Sequence, residues 1–560
     1  MKLLISFAAN TLKELNPLEN IRILHTNMRA DILAGIMVAI IALPLGLAFG
    51  EISQLGPKAG IWSAIVGGVI GGLFGGSRVG VSGPTAPMAS QIAVFMSAFV
   101  IGSSNKPDIE AAFSIIFLSG LILVAISILK ISRFINYIPY PAIAGFMCGI
   151  GAIIVFSQIN AFFGLESSNG IVDLIQNIDI HTLYVSIPSL LILLLWDSLG
   201  KKNIYISKVP SSFAALVTGS SIAYIMNLDI AYIGDKMNMV DSANIFSFHI
   251  PNLSRIPEFI GPAISLAGLA VLDSLLSCKV ADNMTNLRHS SDREAFGQGL
   301  ANMAAGLCGG ISTATATTQT VGNIAFGART PLSTIVKGLT LLAILSGLGY
   351  LVAAIPSACL AAILFKLGFE ILDYRILPVL KNIPKGDLLI FIIVFLLTIF
   401  TDIMFAVAIG VLFAFIKNYK KIHWNYNHQN ISLSNSDFKI SGTNKAKLDE
   451  LPINIIKPKG PLIFASTESL IDICSKSKEN KLLIIDMAEV SMVDLTGIYT
   501  LEDILNNGKE SNVQMFITGI NANIEKTLVQ VNFFNDISED QYENSKESIA
   551  SFISEKYIKV

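Results

Sequence analysis

Two stretches decide how this chain folds: Val79-Gly80-Val81-Ser82-Gly83-Pro84-Thr85-Ala86-Pro87-Met88, and Gly309-Gly310-Ile311-Ser312-Thr313-Ala314-Thr315-Ala316-Thr317-Thr318-Gln319-Thr320. Each is an extended, Gly/Pro- or hydroxyl-rich segment that runs into a short apolar stretch, Ile92 to Ile101 in the first case and Val321 to Phe326 in the second. Neither reads as an ordinary membrane span, which needs roughly 17–25 mostly apolar residues. Subtracting Thr85 from Thr317 gives 232, and subtracting Pro44, in the interrupted first span Ile40 to Gly50, from Asp273 gives 229. Two pairs of unusual segments at nearly one offset predict duplicated halves, and short helices at matching places point to a transporter's midplane site. Each half-helix would start near the bilayer centre with free N–H groups and its positive dipole end aimed inward, which favours an anion. The plainer reading is that these small residues only let helices pack closely.

Asp273 lies in the apolar segment Ile264 to Cys278 and is the only acidic residue between Glu258 and Asp282. A carboxylate at membrane depth costs on the order of 2.5–3.5 kcal/mol on insertion scales, so it is expected to face a cavity or bind a cation. The alternative is a buried Asp that caps or hydrogen-bonds a neighbouring helix. A hard monovalent cation wants oxygen ligands. Asp273, Ser277 one helical turn later, the hydroxyl of Thr317 and the carbonyls of Thr315 and Ala316 supply them. A bound cation would neutralise Asp273 and permit an anion beside it, whereas the empty site would repel the anion. Na⁺ is thus expected as a co-transported ion, and no other cofactor is.

The composition agrees with a membrane setting, at 52% apolar and only 14% charged residues. Long apolar segments recur from Ala30 to about Ile416, among them Phe113 to Leu129, Ala142 to Phe163, Ser186 to Trp196, Leu339 to Ile355 and Leu388 to Phe400. The expected fold is a polytopic α-helical membrane protein. The N-terminus, with only Leu3 to Ala9 apolar, does not read as a removable signal peptide. Four of the five cysteines lie in apolar segments and read as small buried hydrophobes. The scattered histidines and the absence of CxxC and HExxH exclude a zinc site by pattern. No nucleophile sits with a base, so an enzyme is not expected. A nucleic-acid partner is not expected either.

Charge divides the chain. From Lys421 onward 14 Lys and Arg face 19 Asp and Glu, so the tail is an acidic, water-facing unit. We read 1–29 as an N-terminal segment, 30–417 as the membrane domain, 418–452 as a linker and 453–560 as a second domain. Basic residues cluster in alternate loops: Lys130 and Arg133; Lys201, Lys202 and Lys208; Lys279, Arg288 and Arg293; Arg375, Lys381 and Lys385; Lys417, Lys420 and Lys421. By the positive-inside rule those loops are cytoplasmic. The loops Gly164 to Ile180 and Asn227 to Pro257 lie outside. An even span count, most simply fourteen, puts both termini in the cytoplasm. Lys279, Lys337 and Arg329 read as side chains snorkelling from helix ends. Gln91, Gln158 and Asn302 read as interhelical hydrogen-bond partners.

The residues Ile41-Ala42-Leu43-Pro44-Leu45-Gly46-Leu47-Ala48-Phe49-Gly50, Ser82 to Met88, Asp273-Ser274-Leu275-Leu276-Ser277 and Gly297-Gln298-Gly299-Leu300-Ala301-Asn302 together resemble the SulP family of anion transporters (sulfate permease, solute carrier family 26). The resemblance covers nearly the whole chain and looks strongest to the sodium-dependent bicarbonate transporters. It implies fourteen spans in two inverted repeats of seven, core and gate domains, and a cytoplasmic STAS domain that mediates homodimerisation. It implies cation ligands at Asp273, Ser277, Thr315, Ala316 and Thr317, and an anion held at Thr85, Ala86, Thr317, Thr318 and Gln319.

The tail agrees independently with a STAS domain, because Lys481 to Met487 reads as a strand, Thr496 to Asn507 as a helix and Gln514 to Ile520 as a strand. In related anti-sigma-factor antagonists a Ser or Thr at the position of Thr496 is phosphorylated; the plainer role here is an N-cap. The chain departs from the pattern at Ser312-Thr313-Ala314-Thr315, where those transporters are Gly-rich, and at Gln319, near which many sulfate- or chloride-handling relatives carry Arg. The expected activity is Na⁺-coupled bicarbonate uptake across a bacterial inner membrane. The alternatives are a proton-coupled dicarboxylate or sulfate transporter and, from another class, an anion channel or STAS-based scaffold.

Overall fold

Within a bilayer every backbone N–H and C=O must find an internal partner, so apolar runs of this length fold as helices. The computed structural model describes residues 15–101, 106–133, 138–165, 176–202, 209–236, 248–285, 287–372, 375–401, 403–422, 428–438, 448–449, 451–476, 481–510, 513–537 and 541–558. Lys208, much of both outside loops, part of the linker and the first residues of the N-terminal segment lie outside this set. The main membrane elements are α1 (Met28–Ile52), α2 (Pro57–Val66), β1 (Ser82–Pro84), α3 (Ala86–Ala98), α4 (Ile109–Ile128), α5 (Tyr140–Phe163), α6 (Ile180–Gly200) and α7 (Ser211–Ile225). They continue with α8 (Ile256–Thr285), α9 (Ser291–Leu307), β2 (Thr313–Thr315), α10 (Thr317–Ala325), α11 (Leu332–Gly347), α12 (Ser357–Ile371), α13 (Lys385–Phe400) and α14 (Ile403–Ile422). Among the described residues, 5 helices are long and apolar enough to cross a membrane by themselves.

Both stretches singled out above do break: each runs as a three-residue strand into a short helix. The two strands pair antiparallel, Ser82 with Thr315, Gly83 with Ala314 and Pro84 with Thr313. The helices start at Ala86 and Thr317, and subtraction gives an offset of 231. Two expectations are corrected. The first span is a continuous helix with Pro44 inside it, and membrane helices tolerate such a proline where the freed carbonyl can find another partner. The run Leu339 to Ile355 is instead broken, α11 ending at Gly347 before a short turn of helix at Gly349–Ala353.

The tail forms β3 (Gln429–Ser432), β4 (Ile453–Lys457), β5 (Gly460–Leu462), α15 (Thr467–Lys476), β6 (Leu482–Asp486), β7 (Val490–Val493), α16 (Leu495–Glu510), β8 (Gln514–Thr518), α17 (Ala522–Gln530) and α18 (Lys546–Ile553). One sheet has the order β8-β6-β4-β3, with β8, β6 and β4 parallel and β3 antiparallel at the edge. Strand β6 is buried along its whole length, as its unbroken apolar run predicts for a central parallel strand. Strand β3 lies inside the segment read as a linker. The chain divides into two compact units, Met1–Ile135 with Cys148–Leu372 and Leu397–Phe405, and Asn136–Met147 with Asp373–Leu396 and Ala406–Val560.

Candidate functional site

The site is built where α3 and α10 begin. Thr85 and Ala316 precede the two helices in extended conformation, and neither end carries a side-chain cap. The first-turn N–H groups of both helices are therefore left for another acceptor, and the dipoles add positive potential there. The Thr85 hydroxyl is used elsewhere: it donates to Asp273 Oδ2 at 2.6 Å. Four residues along α8, the Ser277 and Thr317 hydroxyls are 2.7 Å apart. Helix α8 packs on α3, β2 and α10, so one carboxylate-bearing helix touches both half-helix starts.

A second buried group holds the crossing in register. Glu294 of α9 accepts hydrogen bonds from the backbone N–H of Gly76 at 2.8 Å, from that of Ser77 at 3.1 Å and from the Thr315 hydroxyl. Gln298 donates to Ser82 Oγ at 2.6 Å and to Thr315 Oγ1 at 2.9 Å, tying the two strands together through their side chains. Asn302 donates to the Thr313 carbonyl at 2.9 Å and accepts from the Ser312 hydroxyl at 2.6 Å. Sequence reasoning missed Glu294 and Gln298 as part of the site. The available signal was their spacing: 294, 298 and 302 fall on one face of a helix at i, i+4 and i+8.

Asp273, Ser277, Thr317 and Thr85 are thus brought together by direct bonds in two pairs. Thr315 and Ala316 are buried beside them, but the Thr315 side chain faces Glu294 and Gln298, so only its carbonyl could serve a cation. Ala86 is buried at the start of α3, whereas Thr317 and Thr318 are exposed. Gln319 is 1% exposed, and neither its amide nitrogen nor its oxygen has a hydrogen-bond partner. Lys337 is a correction. It does not snorkel; it is 0% exposed and its Nζ donates to the Ser82 carbonyl at 2.7 Å. It lies in the first half of α11, where its own strand-holding bond draws it inward. Gln91 accepts from the Ile403 N–H at 3.3 Å, an interhelical contact of the expected kind.

In the tail, Thr496 does not cap α16. Asp494 does so, accepting from the Gly497 N–H at 2.8 Å and the Phe464 N–H at 3.2 Å. The Thr496 hydroxyl instead accepts from the Tyr140 N–H at 3.0 Å, within one compact unit. Burial, and next the Asp387 carboxylate, push the Asp494 carboxyl up to about 7, against the two backbone N–H groups that favour its ionised form.

The sulfate permease family model matches residues 28–394, and a STAS domain model matches 446–548. The chain belongs to the sulfate permease family. This permease is similar to the bicarbonate transporter BicA of Picosynechococcus sp., 30% identical with 93% of this chain and 94% of the relative covered. It is also similar to the putative sulfate transporter YvdB of Bacillus subtilis, 27% identical with 91% and 95% covered. The solved transmembrane domain of a cyanobacterial BicA superposes with a TM-score of 0.58 at 30% identity, over 68% of the permease and 98% of that chain. The overall structure of SLC26A9, with a TM-score of 0.63 at 19% identity over 95% of the permease and 92% of that chain, shares the fold. The permease is accordingly a multi-pass anion transporter with a STAS domain.

Proposed function

We propose that the permease takes up bicarbonate together with Na⁺ by alternating access. The observation that carries this reading is the 2.6 Å bond from Thr85 to Asp273, which joins the carboxylate in the apolar middle of α8 to an uncapped half-helix. Na⁺ would lie against Asp273, Ser277, Thr317 and the carbonyls of Thr315 and Ala316, with the Thr85 hydroxyl oxygen turning from the carboxylate toward the ion. The anion would lie at Thr85, Ala86, Thr317, Thr318 and Gln319, where two dipole ends converge. A cation on Asp273 lowers the cost of placing that anion nearby, which makes the two bind together. Fourteen spans in two inverted repeats, a cytoplasmic STAS domain, a homodimer through that domain and a bacterial inner membrane complete the proposal.

The test is labelled bicarbonate uptake into proteoliposomes with and without a Na⁺ gradient, for wild type and Asp273→Asn, with sulfate and fumarate as competitors. Uptake that requires both Na⁺ and Asp273 is the expected result. Uptake that follows a proton gradient and ignores Na⁺ would replace the cation; strong competition by sulfate would replace the anion. The second outcome has its own support in the likeness to a putative sulfate transporter.

A further inference from the structure

Lys337 is among the largest fully buried side chains of the protein, and the coupling scheme gives it no task. It reaches the crossing on α11, which packs on α1 and α2, whereas Asp273 reaches it on α8. An ammonium carries three donors. Among the described residues Lys337 uses them on one acceptor, the Ser82 carbonyl at 2.7 Å, and no carboxylate pairs with it. A buried charge left in this state is costly unless a counter-charge arrives.

Gly83 is where the two unsatisfied groups meet. A Cβ at this position would lie 3.2 Å from Lys337 Nζ, 3.6 Å from the Ala64 Cα and 3.9 Å from Gln319 Oε1. The glycine thus lets the Lys337 amine and an amide whose two polar atoms are both buried and unbonded close in on one point of the backbone. That point lies in β1, just before the uncapped start of α3. An ammonium, a rotatable amide and free helix N–H groups are donors in excess, and an oxyanion is the ligand that satisfies them all.

We infer that Lys337 is a specificity-determining residue of the anion site, its amine, protonated against a bound anion, acting from α11 with Gln319 beside it as the neutral donor. The inference deepens the anion half of the proposed function and is independent of which cation is coupled. Anion affinity is then set by Lys337 and its dependence on the cation by Asp273.

The experiment measures binding of bicarbonate, sulfate and chloride to the purified full-length protein by calorimetry, alongside uptake KM and kcat in proteoliposomes. Lys337→Gln is expected to weaken anion binding and raise KM about ten-fold or more, the scale of a hydrogen bond to a charged group. The loss should fall on KM more than on kcat. Lys337→Arg should retain affinity, and the double variant Lys337→Gln with Gln319→Arg, which moves the charge to the other side of Gly83, should recover much of it. A strut that only holds the Ser82 carbonyl would not be restored by that exchange. Should Lys337→Gln not yield monodisperse protein, Gln319→Glu, which sets a competing carboxylate beside Nζ, should cause the same loss. Unchanged affinity in these variants, a loss the exchange does not recover, or a wild type that binds none of the three anions overturns the inference. Binding of sulfate rather than bicarbonate, or uptake without Na⁺, overturns the proposed substrate or coupling and leaves the role of Lys337 standing.

Discussion

The Thr85 hydroxyl is one atom in two potential sites, bonded to the carboxylate of α8 and carried at the head of α3. Thr85→Ala removes a hydrogen bond to Asp273 and one oxygen from the proposed Na⁺ site. We expect the Na⁺ half-saturation of uptake to rise about ten-fold, with Thr85→Ser close to wild type; a Na⁺ titration of initial rates checks both. Asp494 makes a prediction about pH. Its carboxyl is raised from an ordinary 3.8 to about 7 in the folded protein, so between those values the folded state holds a proton that the unfolded chain has lost. Stability therefore falls as pH rises through this window, by up to roughly 1.4 kcal/mol per unit, and flattens above it. Thermal unfolding of the full-length protein between pH 5 and 8 should show the midpoint declining, and Asp387→Asn, which removes the neighbouring charge, should make the decline shallower.

Among the described glycines, the tightest backbone approach is between α1 and α2. A Cβ at Gly60 would lie 1.8 Å from the Gly46 carbonyl oxygen, a backbone atom that cannot turn aside. Gly60→Ala should therefore abolish accumulation of folded protein, while Gly261→Ala on α8, with nothing within 4 Å of its Cβ, should express normally. Fluorescence-detected size-exclusion chromatography separates the two outcomes. The broken half-helices were legible in the sequence because Gly, Pro and Thr at Ser82 to Pro87 and Ser312 to Thr320 defeat a continuous span. Asp273 was legible because a single carboxylate stands out against an apolar run. Lys337 was misread because its sequence neighbours, Thr334 to Leu341, look like any helix end, and only the 255-residue jump to Ser82 reveals its partner. Glu294 and Gln298 were hidden for a related reason: α9 is polar enough to pass for a surface helix, yet its polar face is buried against the strands. Long-range hydrogen bonds of this sort leave no periodic trace.

At the scale of the molecule, the unit that includes the STAS domain is held by Arg375. Its guanidinium lies 3.1 Å from Glu502 and 3.0 Å from Asp503, and 4.5 Å from the centroid of the Tyr499 ring. The Tyr499 hydroxyl donates to the Arg375 carbonyl at 2.9 Å. Arg375→Ala takes the guanidinium from both carboxylates and from the ring and should destabilise this unit by about 1–2 kcal/mol. Arg375→Lys should not restore it, because an ammonium reproduces neither the fork nor the stacking; limited proteolysis of the full-length protein measures the difference. The strand pairing at the crossing has a consequence for biogenesis. Ser82 leaves the ribosome long before its partner Thr315, and at roughly 5–20 residues per second that interval lasts on the order of ten to fifty seconds. Throughout it, an unpaired strand and an uncapped helix sit in a membrane that offers them no hydrogen bonds. The first half of the chain must wait in the hands of the insertion machinery for the second, and a nascent chain arrested before Thr313 should be a substrate for quality-control proteolysis rather than a stable half-transporter.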